Sequence, residues 1–346
     1  MHSDILQTLS SAGAYLPNDN ICPRAKLDTG TFCNYRCYFC YYKNELNKKT
    51  PFEIIKKRID TLYNIGCRDF DLSGGESSIH PDFFKILEYI KSLNPDNKIA
   101  CLTNGSKFKN KDFLKKAKDS GLSEILFSLH SINEIHDKMT GIKNSYNHII
   151  KAIYNAKDLD IIVRLNSTIT DVNYKLVDTK YFEVVEKIEP LEMNFLPLNY
   201  FSQNSNSSGM DYSKILEPIK RFIDLSKIPL INVRYVPFCY MIGYEKHVVG
   251  YYQHIYDVYD WNIAMYEYLE PNLTNLAVQA ASNRKQCYRK SDACRNCKYF
   301  YICDGIEPQV LKTGCEFRPV QGSKIKDVNE FRKSFFDIKN IKTKGV

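Results

Sequence analysis

Three cysteines, Cys33, Cys37 and Cys40, fall within the eight residues "CNYRCYFC". The spacing is C-x3-C-x2-C, with the aromatic Phe39 just before the last thiol. A structural zinc site takes four ligands, usually as two C-x2-C-type pairs. This loop offers three thiols and no histidine beside them. Three thiolates on consecutive turns match three irons of a 4Fe–4S cluster and leave the fourth iron open to a substrate or cofactor. A zinc loop borrowing a distant fourth ligand, or a chance grouping, is the other reading. A second set lies in "CYRKSDACRNCKYFYICDG", where Cys294, Cys297 and Cys303 are spaced C-x2-C-x5-C. Cys287 precedes it, Cys315 follows in "TGCEF", and Cys239 lies upstream in "VPFCYM". Here a zinc knuckle is the competing reading.

The chain has 346 residues, 44% of them apolar, enough for one large domain with a smaller one attached. A quarter are charged and the net charge is +8, a moderate excess that reads as solvated surface. No nucleic-acid role is expected without a basic stripe interleaved with stacking aromatics. No apolar run approaches the ~20 residues of a membrane span. The N-terminus has no basic segment leading into an apolar core, so it is not a secretory signal. A cytoplasmic location is therefore expected. There the 12 cysteines serve as ligands or buried thiols rather than disulfides. Cys22, Cys67 and Cys101 are isolated and read as small buried hydrophobes.

The elements that must position these thiols alternate between two kinds. Extended segments are "AKLDTGT", "DFDLSG", "KIACLTNG", "EILFSLH", "DIIVRLN" and "LEMNFLPL". Helix-period segments run Pro51–Ile65, Pro81–Leu93, Lys111–Ser120, Tyr146–Lys157 and Asp178–Ile188. The alternation predicts an α/β fold of parallel strands with helical crossovers. Function in such folds collects at the C-terminal strand ends, where the cysteine loop, "SGGES" and "TNGS" all fall. After Asn199 come a polar loop, a helix Tyr212–Leu225, a strand "LINVRYVPF" and an aromatic-rich stretch. A boundary is expected near Lys227. It gives an N-terminal segment 1–24, a barrel 25–227 and a cysteine-rich extension 228–346.

"CNYRCYFC" resembles the C-x3-C-x-aromatic-C signature of the radical S-adenosylmethionine (radical SAM) superfamily, and the likeness runs in order from about Ala25 to Leu198. It implies a partial (β/α)6 barrel. "SGGES" resembles the family's Gly-Gly-Glu segment, implying that Gly74, Gly75 and Glu76 receive the cofactor's methionine amino group. Ser77 stands where Pro is common. Ser128 in "FSLHSINEIHDKMTG" matches a carboxylate or ribose contact, and "RLNSTI" puts Arg164 and Asn166 where such contacts fall. "NFLPL" resembles the segment along the adenine, and Phe39 matches the aromatic beside it. Read without the resemblance, Gly74–Gly75 is a strand-to-helix turn and Glu76 a helix-start carboxylate. Ser128 is then a strand residue, and Arg164 an ion-pair partner.

The resemblance implies an open-iron 4Fe–4S cluster that binds S-adenosylmethionine and cleaves it to methionine and a 5′-deoxyadenosyl radical. That radical takes hydrogen from an unactivated carbon. The C-x2-C-x5-C set resembles the extensions called SPASM and twitch domains, which hold auxiliary 4Fe–4S clusters. Glu307 stands where the full SPASM pattern has a further Cys, which implies one auxiliary cluster. Cys239 is the expected fourth ligand, with Cys287, Cys315 or the substrate as alternatives. The expected partners are an electron donor such as flavodoxin or ferredoxin and a substrate that is a peptide or a sugar- or aminocyclitol-like molecule. About 24 residues before the first strand leave no room for a leader-peptide-binding domain. Glu245, Asp257, Asp260 and Trp261 either line the site or serve packing and surface. The competing function is a non-catalytic iron–sulfur or zinc protein that binds nucleic acid or a partner.

Overall fold

The computed structural model describes residues 24–42, 47–64, 66–198, 210–250, 288–326 and 330–331, together with the backbone of 263–265. Cys22, Cys287, Asp257, Asp260 and Trp261 lie outside the described residues.

The alternating segments fold as their periods predict. Strands β1 (Arg24–Asp28), β2 (Asp69–Ser73), β3 (Lys98–Thr103), β4 (Glu124–Ser128), β5 (Ile162–Ile169) and β6 (Glu192–Pro197) are all parallel to their neighbours. Between them run α1 (Phe52–Asn64), α2 (Phe83–Leu93), α3 (Lys111–Asp119), α4 (Asn133–Thr140), α5 (Ser145–Asp158) and α6 (Lys180–Ile188). Each helix turns one apolar stripe to the sheet; α1 buries Ile55, Ile59 and Leu62 at helical spacing. The outward strand residues, such as Ala25, Leu27, Phe70 and Leu72, join those stripes in one core.

The sheet does not stop at six strands. After α7 (Tyr212–Leu225), strand β7 (Leu230–Arg234) pairs parallel with β6, and β8 (Val248–Val249) pairs with β7. At the other edge β9 (Ile263–Met265) pairs with β1. The order is β8-β7-β6-β5-β4-β3-β2-β1-β9, a parallel sheet curled into a partial barrel. The boundary expected near Lys227 thus falls within the sheet, because β7 continues the ladder of β6. Helix α4 was not expected; its apolar stripe is too short to show a period.

The inward face of the sheet is polar and layered. Arg24 reaches Asp71 at 2.5 Å and Glu124 at 3.1 Å. Arg164 pairs with Glu192, and its Nη1 lies 3.5 Å from Glu124. All five side chains are buried, and a buried charge is tolerable only when paired in this way. One layer higher, Ser128, Asn166, Asn194 and Asn232 stand in lateral register across β4–β7.

Candidate active site

Both strand-end loops expected to carry chemistry hold the cysteine loop in place. Gly75 N–H donates to Gly30 O at 2.8 Å, and Glu76 N–H donates to Phe32 O at 2.9 Å. The glycines are required by contact. A Cβ on Gly75 would meet the Phe32 carbonyl oxygen at 2.0 Å, and one on Gly74, whose φ is +131°, would meet Gly30 O at 2.3 Å. From β3, the Asn104 amide reaches Asn34 Oδ1 at 2.9 Å and lies 3.9 Å from Cys33 Sγ. The far side of the loop hangs from α4: Arg36 N–H donates to Thr140 O at 3.0 Å. Asn34, Asn104 and Thr140 are supports that motif spacing did not single out.

Cys33, Cys37 and Cys40 form no disulfide, and each is half-buried. Burial pushes the Cys33 thiol up to about 12, reinforced by Glu76 and Cys40. Burial also raises Cys37, with Cys40 and Cys33 as the next causes, so the three sulfurs share one electrostatic neighbourhood. Among the described residues, no three His, Cys, Asp or Glu side chains are grouped closely enough to hold a single metal ion. Three thiols on one short loop, sharing one electrostatic neighbourhood, offer one sulfur to each of three irons of a cluster.

Glu76 is buried at the end of β2 and heads the 3-10 turn Ser77–Ile79. Its Oε1 accepts from Ser78 N, the Ser78 hydroxyl and Thr103 Oγ1 (2.8 Å); its Oε2 accepts from Asn104 N at 2.7 Å. Burial raises its pKa, and these donors oppose the rise. The carboxylate therefore ties the β2 end to the β3 end. Phe39 lies edge-on to His130 at 4.7 Å. That histidine is buried and held well below its usual pKa by desolvation, and its Nδ1 accepts from Thr168 N at 3.1 Å. His130 stands two residues after Ser128, and no motif spacing in the sequence marks it.

Ser128 and Asn166 are lateral neighbours at the C-terminal end of β4. Asn166 Oδ1 is buried and has no hydrogen-bond partner among the described residues. An orphaned buried acceptor is costly and rare, and a hydroxyl or amine of a bound ligand would relieve it. Arg164 is different. It lies one layer deeper, buried and ion-paired with Glu192 and Glu124.

The second cysteine set also comes together. Cys239, on the turn after β7, lines one cavity with Cys294, Cys297 and Cys303. The cavity encloses about 350 Å³, part of it open to solvent, and Lys290, Phe300 and Arg318 complete its wall. Three of the sulfurs already accept backbone N–H groups: Cys297 from Val320 at 3.3 Å, Cys303 from Phe238 and Cys239 from Arg318. Burial pushes Cys239 up to about 11 and Cys303 up to about 12. Cys315 is not in this wall; its thiol sits 3.0 Å from the Tyr240 hydroxyl. Glu245 accepts at 2.6 Å from the hydroxyl of Tyr299, which lines the cysteine cavity.

The sequence profile of the Radical SAM superfamily matches residues 27–179, the stretch that holds β1 to β5 and the cysteine loop. This stretch is a radical SAM domain. The superfamily is one of enzymes. The chain is 28% identical over 200 residues to Fe-coproporphyrin III synthase of Methanosarcina barkeri, covering 56% of this chain and 48% of that protein. It is 32% identical over 146 residues to the antilisterial bacteriocin subtilosin biosynthesis protein AlbA of Bacillus subtilis, covering 41% of this chain and 32% of that protein. The chain thus spans about half or less of the length of these relatives. The likeness of fold extends further: the structure of native anSMEcpe with bound AdoMet and Cp18Cys peptide aligns with a TM-score of 0.57 at 14% identity, covering 92% of this chain and 97% of that one. Among the described residues no helix is long and apolar enough to cross a membrane.

Proposed function

We propose that the chain is a radical SAM enzyme that cleaves S-adenosylmethionine reductively and abstracts hydrogen from a peptide, with a second, auxiliary 4Fe–4S cluster in its C-terminal part. A 4Fe–4S cluster with one open iron, once S-adenosylmethionine is bound, supplies the one-electron cleavage that releases the 5′-deoxyadenosyl radical. Cys33, Cys37 and Cys40 would hold that cluster. The Gly74–Gly75 backbone and Glu76 shape the rim that receives the methionine end. Ser128 and Asn166 offer polar groups for the carboxylate or ribose, and Phe39, braced by His130, offers a face to the adenine. Arg164 has no part in this contact set, because its charge is taken up inside the barrel. The orphaned Asn166 Oδ1, level with the C-terminal end of β4, carries the reading.

Cys239, Cys294, Cys297 and Cys303 would complete the auxiliary cluster with four thiolates, which leaves no iron for substrate and suits electron transfer. Lys290 and Arg318 in the same wall offset the thiolate charge. The peptide substrate is supported by the likeness to a bacteriocin biosynthesis protein. A sugar- or aminocyclitol-like substrate is the second reading, and a flavodoxin- or ferredoxin-type protein is the expected electron donor. The test is anaerobic reconstitution with iron and sulfide, then reductant and S-adenosylmethionine. 5′-Deoxyadenosine should form, and the Cys33→Ala/Cys37→Ala/Cys40→Ala variant should make none. Product from that variant, or none from the loaded wild type, would overturn the reading.

A further inference from the structure

Beside the second cysteine cavity the surface is strongly basic. Residues 288–326 carry eight Lys and Arg against four Asp and Glu, so half of the chain's +8 charge lies in this short segment. Glu307, one of the four acids, is buried. The lysines are also ordered. Lys298 N–H donates to Val320 O at 2.7 Å, and Ile325 N–H donates to Lys298 O at 2.8 Å. The loop 320–325 is thereby clamped around Lys298. That places Lys324 5.1 Å from the Phe300 ring centre and 5.4 Å from that of Tyr301, with Lys326 5.8 Å from Tyr301. Tyr301 is exposed, and Lys324 and Lys326 are exposed. Phe300 also lines the cysteine cavity, so this face is separated from the thiols by a single ring.

We infer that the face formed by Lys298, Phe300, Tyr301, Lys324 and Lys326 is a docking surface for an acidic electron-transfer protein. The inference rests on the auxiliary-cluster reading of the adjoining cavity. The occupant follows from charge and place. Clustered lysines around an exposed aromatic edge attract a carboxylate-rich surface and speed its arrival. A redox partner needs only a small, short-lived contact close to the centre it serves, and electron-transfer encounters sit at the small end of interface sizes. A nucleic acid would also be drawn to positive charge, but among the described residues Lys324 and Lys326 lie over Phe300 and Tyr301 alone, a short platform for a run of stacked bases.

The experiment uses the reconstituted full chain and an acidic flavodoxin carrying FMN, with binding kinetics followed at low salt and at about 0.3 M salt. Wild-type association should slow steeply with salt, since the Debye length shrinks below about 10 Å. The Lys324→Glu/Lys326→Glu variant should associate at least tenfold more slowly at low salt, with folding and iron content as in the wild type. Lys324→Gln/Lys326→Gln should fall between. Equal association by wild type and the reversed-charge variant overturns the inference. So does tighter, salt-sensitive binding of a single-stranded RNA that the same variant loses, which would reassign the face to nucleic acid. Iron in the Cys33/Cys37/Cys40→Ala variant reports the auxiliary centre separately. Docking intact without that iron overturns the cluster reading; iron intact with docking unchanged by the lysine variants overturns the inference itself.

Discussion

Gly75→Ala should disable the chemistry by displacing the cysteine loop. The added Cβ would lie 2.0 Å from Phe32 O, 2.5 Å from Phe32 C and 2.6 Å from Thr31 O. All three are backbone atoms, so no side chain can swing away. Reaching ordinary contact requires residue 32 to retreat by about 1.4 Å. Cys33 follows directly in the chain, and a metal-binding side chain tolerates displacement of only about 0.5 Å. The retreat also stretches the bonds from Gly75 N to Gly30 O and from Glu76 N to Phe32 O. Two lost hydrogen bonds, at about 1 kcal/mol each, plus overpacking of about 1–3 kcal/mol give a loss of roughly 3–5 kcal/mol. For a protein this long that lowers the melting temperature by roughly 4–8 °C.

The assay pairs thermal unfolding with iron and sulfide counts after anaerobic reconstitution. Gly66→Ala is the control: Gly66 has φ +101° but open space where a Cβ would go. It should cost about 1–2 kcal/mol of backbone strain and leave both counts unchanged. Gly75→Ala should lose close to one cluster's iron and all 5′-deoxyadenosine. Full iron and full activity in Gly75→Ala would refute the argument that the glycine pair positions the cysteine loop.

Glu76→Ala leaves Thr103 Oγ1 and Asn104 N without their acceptor; it should cost about 2–4 kcal/mol and weaken S-adenosylmethionine binding while iron content stays near that of the wild type. Unchanged cofactor affinity, measured by calorimetry, would reduce "SGGES" to a structural turn. The Cys33/Cys37/Cys40→Ala variant should retain one cluster per chain, and adding Cys239→Ala should destabilise it; zinc in place of iron would refute the auxiliary cluster. Glu307 is raised by burial to about 7, above the ordinary 4.5. Its unfolded form ionises first as pH rises, so its contribution to stability is complete below pH 4.5 and is lost as pH climbs to about 7, by up to about 3 kcal/mol at ~1.4 kcal/mol per pH unit. Glu307→Gln should therefore raise stability relative to wild type at pH 8 more than at pH 5 in paired denaturation curves.

Periodicity made the first six strands and most of their helices legible, because each parallel strand is followed by its own amphipathic cover. It could not show that β7 and β8 extend the same sheet. Strand pairing is a non-local choice, and the helix α7 between β6 and β7 has the same pattern whether it crosses over or starts a new domain. Helix α4 hid for a local reason: it buries only His136, Met139 and Thr140. The cysteine loop was readable because the thiols are close in sequence. Cys239 was one of several possible companions to the second set, and only the turn after β7 brings it to the cavity wall.

Arg164 and Asn166 show what sequence order cannot resolve. They are two residues apart on one strand and both face inward, so any pattern that nominates one nominates the other. Their fates differ by depth. At the level of Arg164 the neighbouring strands supply Glu192 and Glu124, and the guanidinium is paired within the protein. At the level of Asn166, β4 supplies Ser128 and β6 supplies Asn194. Asn194 in turn directs its Nδ2 at Leu165 O, at 3.5 Å, while its Oδ1 accepts from Asn232, at 3.1 Å, and Arg234, at 2.9 Å. Nothing remains for Asn166 Oδ1. Below this layer the charges are ion-paired within the barrel. At this layer a buried acceptor is left open level with the C-terminal end of β4, where a polar ligand can meet it.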